Sequence, residues 1–363
     1  MNGSRFLIVK LSAIGDVVHT LPALMDLRLQ YPESEIDWLV EPSAAPLLRN
    51  SGELQRVIEV STREWRRTPF SLATLRNVAG IIADLRRRRY QAALDFQGLW
   101  KSGVLARSSG AAQVFGINSE DLRESSARVL YHRQAKAAGR VHRIERNRAM
   151  LKLLGIPPSG PARYPEKLWN DADRLRVESL LENLPEDFVI VNPGGGWATK
   201  LWPPERFGEL ARCIHDRYGY GVVCTWGPGE EALVEQLKTH ASPAPIFAIA
   251  LSISEFACFV RSCRLFIGGD TGPMHIAAAY GVPVFSIFGP TTVEKNGPYQ
   301  TRHHVVQHLL PCSHCYLRSC WHHSCMRYLE TNEVWQAFQE FDTKISDKVG
   351  IVSRKSQVES RKS

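Results

Sequence analysis

The chain has 363 residues, enough for two domains that each bury their own core, and its 44% hydrophobic and 23% charged residues are ordinary for a globular protein. The apolar run Phe6-Leu-Ile-Val9 is too short for a secretory segment and is followed by Lys10, and Gly and Pro cut every longer apolar run, so a signal peptide and a membrane span are excluded and a cytoplasmic protein is expected. The net charge of +8 sits in the first half: residues 1–165 hold 25 Lys+Arg against 15 Asp+Glu, and residues 166–363 hold 20 against 22, which suits an anionic partner for the first half only.

Residues 5–11 read as a buried parallel strand, Ser12-Ala-Ile-Gly-Asp16 as the turn after it, and Val17, Val18, Leu21, Leu24, Met25 and Leu27 as the apolar positions of a helix. Asp16 thus stands where a strand hands over to a helix. A carboxylate at such a strand end either caps the helix or serves as a general base toward a hydroxyl in the cleft. Strands over 35–40, 56–60 and 92–96 and a helix from about Leu72 to Arg89 continue a β/α alternation that implies a parallel sheet. Basic residues gather in the connections: Arg63, Arg66 and Arg67 around Trp65, Lys101 after Gln97-Gly-Leu-Trp100, and His142, Arg143, Arg146 and Arg148. The first four can converge on one anionic acceptor through charge-assisted hydrogen bonds, whereas the run Arg86–Arg89 reads as a solvated face.

Residues 154–166, with Gly155, Pro157, Pro158, Gly160, Pro161 and Pro165, read as a linker. A second α/β unit follows: a helix over about 171–184, then a strand over 188–191 opening into Asn192-Pro-Gly-Gly-Gly-Trp-Ala-Thr-Lys200. This glycine-rich loop carries Thr199 and Lys200 toward phosphate oxygens but lacks the spacing of a Walker loop or a dinucleotide fingerprint. A strand over 222–226 and the turn Gly227-Pro-Gly-Glu-Glu231 come next, where an acidic side chain either binds ribose hydroxyls or answers the helix dipole. Leu265-Phe-Ile-Gly-Gly-Asp-Thr-Gly-Pro-Met-His275 is a strand, a tight turn and a helix start; glycines, Asp270 and His275 converge on one turn, and unpaired N–H groups at Gly272, Met274 and His275 fit a diphosphate. Cys312, Cys315, Cys320 and Cys325 cluster near His314, His322 and His323; their spacing is not that of a common zinc ribbon, and free buried thiols or a redox pair are preferred to a metal. A helix over 331–345 and a polar, disordered tail over 346–363 complete the chain.

Lys10-Leu-Ser-Ala-Ile-Gly-Asp-Val-Val-His-Thr-Leu-Pro-Ala23, Asp95-Phe-Gln-Gly-Leu-Trp-Lys-Ser102, the loop from Asn192 to Pro203, Trp226-Gly227 with Glu230-Glu231, and the run from Gly269 through Phe288-Gly-Pro-Thr291 occur in the order seen in the heptosyltransferases. The chain resembles these inverting glycosyltransferases of family nine over residues 5 to about 330. The resemblance implies an α/β fold of the GT-B type, with an acceptor-binding Rossmann-like domain (1–160) facing a nucleotide-sugar-binding one (166–330) and the helix over 331–345 crossing back onto the first domain.

The resemblance further implies transfer of heptose from ADP-L-glycero-D-manno-heptose to the Kdo of lipid A-linked acceptors at the inner leaflet of the cytoplasmic membrane, with no cofactor, no metal and no nucleic acid. Carried over by position, Asp16 is the base and Lys200 the cation for the departing diphosphate; Ser12, Gly15, Thr199, Glu230 or Glu231, Asp270, Thr271, Gly272 and His275 belong to the donor site. Arg63, Arg66, Arg67, Gln97, Lys101 and His142 belong to the acceptor site. Arg63-Glu-Trp-Arg-Arg67 and Val141-His-Arg-Ile-Glu-Arg-Asn-Arg148 are similar to the enzyme adding the first heptose, whereas the cysteine cluster is similar to that adding the second. An epimerase of similar shape is a further alternative, and a nucleic-acid-binding protein would leave Asp16 and the glycine loops without a role.

Overall fold

The computed structural model describes residues 3–118, 124–136 and 141–346; the tail beyond Ser346 lies outside the described residues. Its strands are β1 (Arg5–Val9), β2 (Glu35–Val40), β3 (Arg56–Glu59), β4 (Ala92–Asp95), β5 (Gln113–Ile117), β6 (Arg133–Ala135), β7 (Phe188–Asn192), β8 (Gly221–Trp226), β9 (Ile246–Ala250), β10 (Leu265–Gly269), β11 (Val284–Phe288) and β12 (His303–Gln307). They form two six-stranded sheets, ordered β3-β2-β1-β4-β5-β6 and β12-β11-β10-β7-β8-β9. Every pairing is parallel. Both sheets therefore have doubly wound order, the arrangement expected of two Rossmann-like units.

The order fixes where a ligand can bind. The order of winding reverses between β1 and β4 in the first sheet and between β7 and β10 in the second, and each reversal opens a crevice at the carboxyl ends of those strands. Phe6 to Val9, Phe188 to Val191, and β10 and β11 throughout are buried apolar or small residues, as strands covered by helices on both faces must be.

A continuous apolar core joins the two units at the helices Ile14–Val18 and Gly272–Ala279. Their approach depends on glycine. A Cβ on Gly272 would stand 2.7 Å from Ile14 Cγ2, and one on Gly15 2.6 Å from His275 Cδ2, both closer than side chains approach.

One domain expectation is corrected. The helix Thr331–Ser346 packs on the second unit, not the first: Val334, Phe338, Phe341 and Ile345 enter the core formed by Val189, Leu210 and Phe285, and Arg264 binds Asp342 at 3.2 Å. The first unit is met instead by the segment after β11: His142 Nε2 lies 3.0 Å from the Gly297 carbonyl, Arg143 Nε donates to Asn296 Oδ1 at 2.6 Å, and the Tyr299 hydroxyl donates to Glu145.

Candidate active site

On the first crevice, Asp16 stands in the opening turn of the helix Ile14–Val18, its Oδ2 accepting from Ala13 N at 3.3 Å. Its Oδ1 is 3.9 Å from Lys10 Nζ and 3.8 Å from Arg143 Nη1. Burial alone would raise this carboxyl, but Lys10, Arg143, the Ala13 amide and Arg146 outweigh it and hold Asp16 below the usual carboxylate range. The result is an ionised base at neutral pH. Lys10 is itself almost fully buried, donating to Phe96 O at 3.1 Å, and burial lowers its ammonium to about 8 against the pull of Asp16.

On the second crevice, Asp270 gathers three donors. Lys200 Nζ lies 2.7 Å from Oδ2, Thr291 Oγ1 donates to the same oxygen at 2.8 Å, and His275 Nε2 is 3.2 Å from Oδ1. Burial pushes Asp270 up, yet the hydrogen bonds and charges of His275 and Lys200 drive it well below its ordinary value. Lys200 also lies 4.5 Å over the Trp197 ring, whose other neighbour is the Arg318 guanidinium at 4.8 Å. The ammonium is thus fixed at the start of the helix Gly272–Ala279, where the backbone N–H groups of Gly272 and Met274 precede the first helical bond. Thr271 Oγ1 is buried without a hydrogen-bond partner at this helix start, although its side chain is free to cap it. A lysine, two free amides and an unpaired hydroxyl at one helix end form an anion cradle.

The two crevices face each other. Gly15 packs on His275, and His275 Nδ1 is 3.0 Å from His19 Nε2 of the first unit, so Asp16 and Asp270 stand on the two walls of one cleft. Ser12, Glu41, Arg63 and Arg67 line a pocket of about 370 Å³ in the first wall. Lys101 Nζ donates to Thr62 Oγ1 at 2.9 Å and is 3.8 Å from Glu41.

Several expected residues also make contacts within the chain. Thr199 donates its hydroxyl to Leu317 O at 2.7 Å while His323 lies 2.8 Å from its carbonyl, so its side chain ties the cysteine-rich segment to the Lys200 loop. The His275 N–H bonds to Thr271 O at 3.3 Å and is not free. Ser12 lines the pocket of the first wall, and Gly15 is a close-packing glycine between the domains. Gln97 Oε1 accepts from Leu11 N at 3.1 Å and Ser12 N at 3.2 Å, bracing the two strand ends. His142 bridges to Gly297 and stacks on Tyr299, away from the pocket, and Arg66 is exposed outside its lining.

Of the two glutamates, Glu230 spans the crevice rim, accepting from Gly195 N at 2.8 Å and Gly227 N at 2.7 Å, whereas Glu231 is exposed and meets only its own turn, at Gly229 N 3.3 Å away. Lys10, His19, Arg143 and Thr291 join the site without a site role in the sequence reading. Lys10, His19 and Thr291 lie in the stretches that carry the family resemblance, and Arg143 lies in the basic run that starts at His142. The expected burial of the clustered thiols is corrected: Cys312 and Cys315 are exposed and Cys320 and Cys325 half-buried, and burial followed by its three neighbours raises the Cys325 thiol. Among the described residues no group of three or more His, Cys, Asp or Glu is placed to hold a metal.

Comparison with known proteins gives the family of the chain. The model of glycosyltransferase family 9 (heptosyltransferase) matches residues 78–325. The chain belongs to glycosyltransferase family 9. It is 32% identical over 321 residues to lipopolysaccharide heptosyltransferase 1 of Pseudomonas aeruginosa, covering 87% of each chain. The Escherichia coli K12 protein of the same name is 30% identical over 300 residues, covering 81% of this chain and 91% of that one. Among solved structures, the E. coli heptosyltransferase WaaC with ADP superposes with a TM-score of 0.74 at 28% identity, covering 93% of this chain and 99% of that one; the same score is found with ADP-2-deoxy-2-fluoro heptose bound. In this glycosyltransferase the facing sheets are those of a GT-B enzyme.

Proposed function

We propose that the chain transfers heptose from ADP-L-glycero-D-manno-heptose to the Kdo of a lipid A-linked acceptor, with inversion at the anomeric carbon. The observation that carries the reading is the ionised Asp16 carboxylate facing, across one cleft, the anion cradle of Lys200 and the helix Gly272–Ala279. Asp16 takes the proton of the acceptor hydroxyl as its oxygen attacks the anomeric carbon from the side opposite the diphosphate. The bond from that carbon to the diphosphate oxygen breaks, its electron pair leaves with ADP, and Lys200 with the Gly272 and Met274 amides balances the charge. Asp16 then passes its proton to water.

The pocket sets Arg63 and Arg67 beside Glu41 and Glu64, and its two guanidinium groups are the members that suit an acidic sugar as acceptor, since guanidinium groups bind carboxylates in pairs. Glu230 is the better ribose ligand of the two glutamates because it lies at the rim of the second crevice. That relatives at 30–32% identity carry the name lipopolysaccharide heptosyltransferase 1 favours the first-heptose reading over the second. Incubation with ADP-heptose, with and without Kdo2-lipid A, tests the proposal: ADP release should require the acceptor and yield a product heavier by one heptose. Release that ignores the acceptor would remove the transferase reading.

A further inference from the structure

The helix Leu72–Arg88 is apolar on two opposite sides. Thr74, Val78, Ile81 and Leu85, spaced by three and four, turn toward the first sheet, where Leu85 and Ile81 join Leu7 and Val9 in the core. Leu72, Leu75, Ala79 and Ala83 recur at the same spacing on the other side and are exposed. Leu72 is 62% and Leu75 53% exposed, and Phe70, in the turn before the helix, is 90% exposed. A surface helix normally answers its core face with a polar one; here the outer face stays apolar for three turns and then becomes basic at Arg86 and Arg87.

The turn presenting Phe70 is built. Ser71 Oγ accepts from Thr74 N at 3.1 Å, Thr68 and Thr74 join their hydroxyls at 3.1 Å, and Trp65 Nε1 donates to Asn77 Oδ1 at 3.1 Å. These bonds hold the helix Thr62–Arg67, with exposed Arg63, Arg66 and Arg67, rigidly beside the apolar stripe. Against Arg63, Arg66, Arg67, Arg76, Arg86 and Arg87 the segment sets only Glu64 and Asp84, and Asp84 is engaged by Arg56.

We infer that this face docks on a bilayer surface carrying anionic phospholipid headgroups, with Phe70, Leu72 and Leu75 entering the interface and the surrounding arginines meeting the headgroup phosphates. An apolar stripe rimmed by unbalanced arginines suits that occupant. A second copy of the chain meeting it about a two-fold axis would set arginine against arginine. Among the described residues no helix is long and apolar enough to cross a membrane, so this contact is peripheral. The inference deepens the reading of a lipid-linked acceptor and rests on it: Arg63 and Arg67 both flank the stripe and line the acceptor pocket, so docking brings the pocket mouth to the leaflet that would hold such a substrate.

The test is co-sedimentation of the full chain with phosphatidylcholine vesicles, with and without phosphatidylglycerol and free of any glycolipid acceptor. Binding should need phosphatidylglycerol and weaken as salt rises. The triple variant Phe70→Ser/Leu72→Ser/Leu75→Ser should lose at least tenfold in partitioning, and Arg76→Gln/Arg87→Gln should flatten the salt dependence. Both variants should keep the wild-type melting temperature and wild-type turnover on an acceptor stripped of its acyl chains. Binding of the triple variant equal to wild type overturns the inference. So does wild-type binding only when the acceptor is in the vesicle, or a wild-type dimer that the triple substitution dissociates. Docking without turnover on any Kdo acceptor would leave the surface standing and sink the proposed reaction instead.

Discussion

Replacing Lys10 with Met separates a base that is tuned from one that is merely present. Lys10 Nζ is 3.9 Å from Asp16 Oδ1. A unit charge at that distance is worth about 4 kcal/mol at an effective dielectric of ~20 and about 1 kcal/mol in bulk water. The Asp16 side chain is 29% exposed, which places the pair between these limits, so removing the charge should raise the carboxyl by roughly one to three pH units. The sign is fixed by the direction of the native shift. A depressed carboxyl is ionised above its titration point, so activity falls as pH drops through it, and the variant must lose activity at a higher pH than wild type. Acceptor-dependent ADP release, followed in brief pH jumps, should show the acid limb of kcat displaced upward in Lys10→Met. Arg143 at 3.8 Å remains to limit the displacement.

The same substitution bears on stability. Met leaves the Phe96 carbonyl without its donor, a loss of about 1–3 kcal/mol. Against this, the native ammonium titrates near 8, not 10.5, so between those values the unfolded chain binds the extra proton and wild type gains stability as pH rises. That gain, on the order of 3 kcal/mol, should be absent from the variant, as urea titrations at pH 8 and pH 10 would show. Superimposable acid limbs in the two proteins, with both still folded, would refute the assignment of Lys10 as the group that sets Asp16.

Asp16→Asn should lower turnover by about 10²-fold or more while leaving donor KM near wild type, since only the proton transfer is lost; equal losses in both would make Asp16 a helix cap. Arg148→Met should cost about 3–5 kcal/mol in urea unfolding, because Arg148 holds the buried Asp26 through Nε at 2.7 Å and its removal strands a charge. Pairing it with Asp26→Asn should recover much of the loss. Burial, then an opposing Gly297 contact, then His275 and Arg143, bring His142 down to about 4, so between the unfolded value of 6.5 and 4 the folded chain binds fewer protons and stability should fall as pH falls through that window. His142→Gln should reduce the slope of melting temperature against pH there, and an unchanged slope would show that other groups carry it.

What the sequence made legible follows its local physics. Central strands are near-continuous apolar runs, so β1, β2, β4, β7, β8 and β10 can be located within a residue or two, and with them the turns bearing Asp16, Lys200 and Asp270. The edge strand β3 is located as well, over 56–60, and so is β11, whereas β5, β6, β9 and β12 are not. Arg133-Gln-Ala135 is three residues long, and β12 opens on His303-His304, neither with an apolar run to mark it. Side-chain direction was illegible for a different reason. Thr199 sits in a phosphate-suited loop, but only the folded chain brings Leu317 to its hydroxyl, and nothing near His142 in sequence announces Gly297, 155 positions away. The stripe Val334, Phe338, Phe341 and Ile345 declares that the last helix is buried without saying on which sheet.

The histidines at the domain contact explain why two walls built independently can hold one geometry. His142 Nδ1 accepts from Ile144 N at 3.2 Å, which leaves its Nε2 proton for the Gly297 carbonyl and fixes its tautomer. With Asp270 ionised, His275 presents Nε2–H to that carboxylate, and its Nδ1 lies 3.0 Å from Nε2 of His19. His19 is kept neutral chiefly by burial, then by His275 and His142, and its Nδ1 is left without a partner. A charged ring there would face His142, Arg143 and Lys10 with no carboxylate of its own. The chain from Asp270 through His275 to His19 spans the gap between the wall that fixes Lys200 and the wall that fixes Asp16. Replacing either glycine at this contact would force the walls apart before it touched any reacting group, since Gly15 and Gly272 alone allow the helices to come close enough for these bonds.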